Sequence, residues 1–332
     1  ANAPARCRWE RRRHPPRNLP LIRSRSARCA AALAAATLFA GVPARGEFVG
    51  HGGAVRGIAV SPDSRQLLSA SFDYSIILWD FASQKPLHRL HGHEGLVNAV
   101  AFLDGGRALS ASDDGTLALW NLNDAKLEKR WPGHPGKIAG LAVSANRKLA
   151  LSGGWDRSAK LWELPGGRLL QSFDHGANVN AVAFSPDGIS AAGAGHDGSV
   201  RLWRLSDGNV LQRFGGGGFA ASSLAFTADG KRLLVAQINE KLRLWDLAEG
   251  QAVVDFVGHE GPVMSAAVSP DGQFALSGGT DGMLRLWRMA DGQPVRDVFG
   301  HHRPIWSVAF AAQGQVVLSG GADGMIRAWN VR

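Results

Sequence analysis

Histidine is the side chain best suited to proton transfer near neutral pH and the commonest metal ligand, and this chain carries eleven. His91 and His93 form a His-x-His pair, a spacing that can seed a metal site. Nothing in the pattern fixes a third ligand beside them, and both cysteines, Cys7 and Cys29, lie near the start of the sequence. No metal site is expected. The motifs of covalent and cofactor chemistry are absent as well: there is no Gly-x-Ser-x-Gly nucleophile turn, no phosphate-binding loop and no Cys-x-x-Cys-His haem attachment. Recurrent Asp-Gly pairs, such as Asp207-Gly208 and Asp291-Gly292, have the form of hairpin turns and lack the spaced oxygen ligands of a calcium loop. No catalytic, cofactor-binding or metal-binding residue is assigned, no cofactor is expected, and the function is sought on a surface.

The elements that display such a surface are set by tryptophan. Trp79, Trp120, Trp162, Trp203, Trp245, Trp287 and Trp329 recur with gaps of 41, 42, 41, 42, 42 and 42 residues. A unit of that length cannot bury its apolar face alone and must stack on like neighbours, so the seven units form one array. Each unit ends in a segment such as LLSASFDYSIILWD (67–80) or ALSGGTDGMLRLWR (275–288), which reads as two strands joined by a tight turn at the Asp. About 22 residues before that Asp stands a Gly-His pair, as at Gly50-His51 and Gly92-His93. Between them run an alternating strand such as VNAVAF (97–102) and a Ser-Pro-Asp-Gly turn (185–188, 269–272).

Gly-His at the start of the unit, Asp in the turn and Trp at the end resemble the WD-repeat family, over residues 47–332 and seven times. The resemblance implies an all-β fold: a seven-bladed WD-repeat β-propeller of four-stranded antiparallel blades around a central channel. It also implies a buried tetrad in each blade, in which His bridges the turn carboxylate and a hydroxyl while the indole N–H finds an acceptor. The matching sets are His51, Ser69, Asp73 and Trp79; His93, Ser110, Asp114 and Trp120; His134, Ser152, Asp156 and Trp162; His259, Ser277, Asp281 and Trp287; and His301, Ser319, Asp323 and Trp329. These five histidines and His175 thereby become scaffold instead of general bases. Two units depart from the pattern. The fourth keeps His175, Asp197 and Trp203 but has Gly193 in place of Ser. The fifth has glycine at 215–218 where Gly-His belongs, Val235 for Ser and Asn239 for Asp, so only Trp245 remains, and this blade is expected to be the least rigid.

Three strands account for the seventh unit, and Glu47, Phe48 and Val49 form an orphan strand before the first Gly-His. This N-terminal strand is expected to close the last blade and remove an exposed edge. Residues the scaffold does not require mark the candidate partner-binding face. In the family, the residue before the turn Asp and the one early in the first strand face the channel mouth. Here these are Phe72, Asp113, Trp155 and His196 at the first position, and Arg56, Asn98, Asn180, Met264 and Trp306 at the second. Aromatic and Arg side chains on a rigid face are typical interface anchors. Blades seven and one adjoin, so Trp306, Phe72 and Arg56 are expected to form one patch; the competing reading is that these aromatics plug the channel.

The net charge of +9 resides near the N-terminus: ten of the 37 Lys and Arg and one of the 28 acidic residues lie in 1–46, leaving 27 of each in 47–332. The array has no basic excess to neutralise phosphates, so no nucleic-acid partner is expected. Residues 1–44 read as a leader, with an Arg-rich run, the uncharged stretch CAAALAAATLFAGVPA (29–44) and then Arg45, the order of a signal peptide cleaved after Ala44. An Arg-rich, acid-poor leader also fits a mitochondrial transit peptide. The apolar part falls short of the roughly 20 residues of a membrane span, so no stable membrane anchor is expected after leader removal. The expected organisation is a leader over 1–44 and a propeller over 45–332. The expected function is a monomeric, non-catalytic protein–protein interaction scaffold of secreted bacterial type, periplasmic or secreted. Bacterial chains of this appearance sometimes continue into a c-type cytochrome domain, so the resemblance admits a cytochrome or other respiratory partner. The alternatives are a propeller enzyme or small-ligand binder using the channel mouth and, with a different leader, a mitochondrial or cytoplasmic location.

Overall fold

In the first unit, the strands Val55–Val60, Gln66–Ser71, Ser75–Asp80 and Pro86–His91 pair antiparallel in that order. The computed structural model describes residues 46–331, and the expected leader with its cleavage point lies outside them. Six further four-stranded antiparallel sheets follow, with one short 3-10 turn at Ala312–Gly314. The fold is a seven-bladed β-propeller. Among the described residues no helix is long and apolar enough to cross a membrane.

The seventh blade takes Ile305–Ala311, Val316–Gly321 and Met325–Asn330 from one end of the chain and its outer strand, Gly46–Val49, from the other. That strand pairs antiparallel with Met325–Asn330, setting Phe48 opposite Ile326. Phe48 is buried, and Arg327 Nε donates to Glu47 Oε1 at 2.7 Å. The strand covers an edge that would otherwise carry unpaired N–H and C=O groups.

The core is divided among the blade interfaces. Each apolar cluster draws on two adjacent blades: Leu68, Ile76 and Leu90 of blade one pack with Val97 and Trp120 of blade two, and Phe48 and Leu318 of blade seven with Val55 and Trp79 of blade one. The last buried residue of the outer strand reaches the tryptophan of the next blade, as in Phe48 with Trp79, Trp131 with Trp162, Phe173 with Trp203, Phe214 with Trp245 and Phe256 with Trp287. Such rings give each interface aromatic contact beyond simple area burial.

One irregularity recurs in all seven inner strands. The pairing of inner and second strand skips a residue, so that Arg56, Asn98, Ala139, Asn180, Ser222, Met264 and Trp306 each form a bulge. A bulge re-aims the side chain it carries, and all seven of these residues line the central channel. The residue after each is small because inner strands converge there: a Cβ on Gly140 would lie 2.9 Å from Ala181 Cα.

Candidate functional site

In an antiparallel blade the chain enters the inner strand and turns from second to third strand at the same end, so the Gly-His loops and the Asp turns of all blades share one face. Each blade pins the two together in the same way. The residue before the turn Asp donates its N–H to the carbonyl just ahead of the inner strand, at 2.8–2.9 Å for Phe72 to Ala54, Asp113 to Leu96, Trp155 to Lys137 and His196 to Asn178. The residue after the turn Asp, or after Asn239 in blade five, takes a left-handed conformation. Gly115, Gly198, Gly282 and Gly324 do so without strain, whereas Tyr74, Arg157 and Glu240 hold φ of 67°, 69° and 68° with a side chain.

Beneath this face lie the tetrads. In blade one His51 Nδ1 donates to Asp73 Oδ2 at 2.8 Å, Ser69 Oγ stands 2.7 Å from His51 Nε2, and Trp79 Nε1 donates to Ser69 Oγ at 2.8 Å. A carboxylate only accepts, so Nδ1 carries the imidazole proton, Nε2 is the acceptor and the serine hydroxyl donates to it. The same three contacts recur in His93, Ser110, Asp114 and Trp120, in His134, Ser152, Asp156 and Trp162, and in His259, Ser277, Asp281 and Trp287, at 2.7–2.9 Å. In His301, Ser319, Asp323 and Trp329 they are looser, with the indole bond at 3.3 Å. Burial raises the carboxyls of Asp73, Asp114 and Asp323, but the bonds they accept more than reverse this and hold them well below the ordinary 3.8. A cation outside the tetrad completes four of them: Arg89 beside Asp73, Lys160 beside Asp156, Arg285 beside Asp281 and Arg327 beside Asp323, at 2.8–3.9 Å.

Blades four and five lack this network for a physical reason. Serine is the hub that both the imidazole and the indole use. With Gly193 in its place, His175 Nε2 donates to Gly193 O at 3.1 Å instead, and His175 Nδ1 and Trp203 Nε1 are buried without partners. The indole fills the free space: a Cβ on Gly193 would come 2.6 Å from Trp203 Cη2. Trp203 accordingly stacks on Phe173 at an interplanar angle of 29°, and Trp245 lies at 31° to Phe214, whereas Trp79 and Trp287 stand at 83° and 72° to their partners.

Around the channel mouth the remaining candidate residues form two groups. Arg56 lies over Trp306, its Cζ 4.9 Å from the ring centroid, and bonds Trp306 O at 3.4 Å. Burial pushes the Arg56 guanidinium below its ordinary value, and the charge of Asp113 offsets part of this. Among the described residues no ring contact ties Phe72 to this pair, so the structure joins two of the three residues expected to share a patch. The second group crosses four blades. Asn98 Nδ2 donates to Asp113 Oδ1 at 2.6 Å and to Ile138 O at 2.8 Å, Asp113 pairs with Lys137 at 3.5 Å, and the Lys137 ammonium lies 4.7 Å from the Trp155 ring centroid. Trp155 Nε1 donates to Asn180 Oδ1 at 3.2 Å, its ring lies 6.0 Å from that of His196, and Asn180 Nδ2 bonds Ala221 O at 2.9 Å. Trp155 remains 43% exposed. Met264 lines the channel with Ser222 and Ser265.

The chain matches the family model of the first β-propeller of IFT122 over residues 54–330. Together with the seven four-stranded blades, that match decides the family. The chain belongs to the WD-repeat β-propellers. This WD-repeat chain is also similar to the small ribosomal subunit protein RACK1y of Oryza sativa subsp. japonica, 32% identical over 140 residues, which are 42% of this chain and 30% of that protein. It is 28% identical, again over 140 residues and 42% of its length, to the small ribosomal subunit protein RACK1 of Drosophila melanogaster, covering 31% of that protein. These alignments span under a third of the relatives' lengths.

Two features of this WD-repeat propeller go beyond the expectations from sequence. Trp131, left without a role, is a blade-to-blade contact; its signal is an apolar residue three positions before the tetrad His, as at Phe48, Leu90, Phe256 and Val298. Phe219 and Ile238, 51% and 37% exposed, give the fifth blade an apolar tip on the Asp-turn face. Phe219 adjoins the turn of blade four, where a Cβ on Gly198 would meet Phe219 O at 2.4 Å. Among the described residues no group of three or more His, Cys, Asp or Glu side chains has a metal-binding arrangement, and His93 of the His-x-His pair is engaged in its tetrad.

Proposed function

We propose that this WD-repeat protein is a non-catalytic interaction scaffold that binds a protein partner on the face carrying the Asp turns. The supporting observation is Trp155: an indole that the tetrads do not use, 43% exposed, yet fixed by Asn180, Lys137 and His196. A large side chain already immobilised loses little entropy on binding, which is what an interface anchor requires. His196, Phe219 and Ile238 extend the same face across blades four and five.

The names of the two relatives refer to the small ribosomal subunit. Residues 47–332 carry equal numbers of basic and acidic groups, so a role on RNA has no electrostatic support here, and a protein partner is preferred. The leader over 1–44 supports export to the periplasm, and a cytochrome or other respiratory partner rests on resemblance alone.

The experiment is affinity capture from the native extract with the wild type and a Trp155→Ala, Phe219→Ser variant whose circular dichroism and melting are unchanged. A protein retained by the wild type and lost by the variant supports the scaffold. Equal retention by both removes this face.

A further inference from the structure

At the channel mouth three observations go unexplained by the scaffold. Among the described residues Arg56 is the one charged side chain in the channel lining, and its single hydrogen bond is the long one to Trp306 O. On the same ring of residues, Trp306 Nε1 is buried without a partner. In the next blade Asn98, 3% exposed, directs its amide N–H groups to Asp113 and Ile138 and leaves Oδ1 buried and unpaired. Elsewhere on this face Arg89, Arg285 and Arg327 each stand beside a tetrad carboxylate.

A guanidinium fork matches a carboxylate in shape and charge, and holding it against an aromatic ring orders it in advance. An orphan N–H next to it supplies another donor, and an orphan carbonyl seeks an N–H. We propose that the channel mouth binds a carboxylate of a partner polypeptide through Arg56 and Trp306 Nε1, with a neighbouring N–H of that polypeptide going to Asn98 Oδ1. The inference rests on the scaffold reading and names the chemistry of its partner. A monoanion fits better than a phosphate, because Arg56 is the sole cation of the lining and Asp113, 3.5 Å from Lys137, keeps a second negative charge away. The cavity, about 200 Å³, admits a side chain or a chain end but no folded element.

The test follows the Trp306 indole resonance in ¹⁵N-labelled protein, assigned by its loss in Trp306→Phe. The probes are the blocked peptide acetyl-Gly-Ala-Glu-Ala-Gly-amide, its Gln counterpart, and the Gln peptide with a free C-terminus, each at millimolar concentration. The resonance is expected to move with a carboxylate-bearing peptide and to stay in place with the blocked Gln peptide. A response to the Glu peptide identifies a side chain, and a response to the free C-terminus identifies a chain end. Arg56→Met is expected to weaken the response by about tenfold or more, and Arg56→Lys to fall between, with the other indole resonances unmoved as the check on folding. No movement with either carboxylate, equal movement with the blocked Gln peptide, or equal movement with inorganic phosphate overturns the proposal. Partner capture that depends on Trp155 while Trp306 stays silent rejects this site and leaves the scaffold standing. A Trp306 response with no captured partner supports the site and counts against the face around Trp155.

Discussion

The guanidinium of Arg56 and the indole of Trp306 meet across the seam between the first and last blades, 4.9 Å from Cζ to ring centroid and 250 residues apart in the chain. A cation–π contact contributes about 0.5–2 kcal/mol, while a partly buried cation whose single hydrogen bond is long gives up hydration that this contact does not fully return. Arg56→Met keeps the packing on the ring and removes the charge. It is expected to stabilise the protein by about 1 kcal/mol, read as a rise of a few degrees in melting temperature. A clear fall would mean that the guanidinium is compensated in the folded state.

Serine should be the costliest small residue to lose in a tetrad. In Ser110→Ala the imidazole Nε2 of His93 and the indole N–H of Trp120 lose their shared partner together. Two buried polar groups are then stranded by the removal of one oxygen, at a cost of about 1–3 kcal/mol for each group. Chemical denaturation of Ser110→Ala is expected to show a loss of that order. The exposed Ser83→Ala, at a turn, should stay within about 0.5 kcal/mol of wild type. A loss at Ser110 no greater than at Ser83 would refute the hub role.

Acid should destabilise the protein in two stages. Burial lowers His134 and His175 below their ordinary 6.5, so between the two values the unfolded chain binds protons that the folded one does not. Stability therefore begins to decline as the pH falls through about 6.5. Asp73, Asp114 and Asp323 are also held below their ordinary value, so their contribution is complete above about pH 5 and is lost as the pH falls through 4 and below. Melting curves from pH 7.5 to 3.5 should show both declines, and His175→Gln should flatten the first. A melting temperature that is constant or rising from pH 7 to 5.5 would contradict this assignment of protonation states.

How much of this was legible in the sequence depends on the range of each interaction. The tryptophan period and the Gly-His and Asp positions lie within one repeat, and they specify blades, turns and the closing strand Gly46–Val49. The hydrogen bonds of the five complete tetrads join residues at most 22 positions apart, so the resemblance to the WD-repeat family carries their members over position by position. The contacts at the channel mouth run between repeats. Nothing in the spacing shows that Trp155 of blade three bonds Asn180 of blade four, or that Arg56 lies on Trp306 while Phe72 stays out of ring contact. The bulge that aims these side chains is set by pairing geometry and has no residue signature: its seven occupants range from Ala139 to Trp306. Blade five read only as loss, because the exposure of Phe219 and Ile238 becomes visible when the face is assembled.

Blade four separates the two ways of reading most sharply. By sequence it holds three of four tetrad members, and Gly193→Ser should complete the set and strengthen the blade. The structure predicts the opposite. None of the tetrad bonds forms there, since His175 has turned its Nε2–H to Gly193 O, and the Trp203 ring occupies the serine's place against Phe173. A Cβ at 193 would stand 2.6 Å and 2.8 Å from Trp203 Cη2 and Cζ3, closer than real contacts allow. Restoring the tetrad requires the buried indole to leave its stack while His175 reverses its tautomer. Overpacking of a filled interior costs about 1–3 kcal/mol, and the hydrogen bonds regained return about 1 kcal/mol each at most when geometry is good. Gly193→Ser is expected to lower the melting temperature, and Gly193→Ala to lower it further because it adds the Cβ without the hydroxyl. Should Gly193→Ser instead melt above wild type, the indole swings freely and the blade is a dormant tetrad.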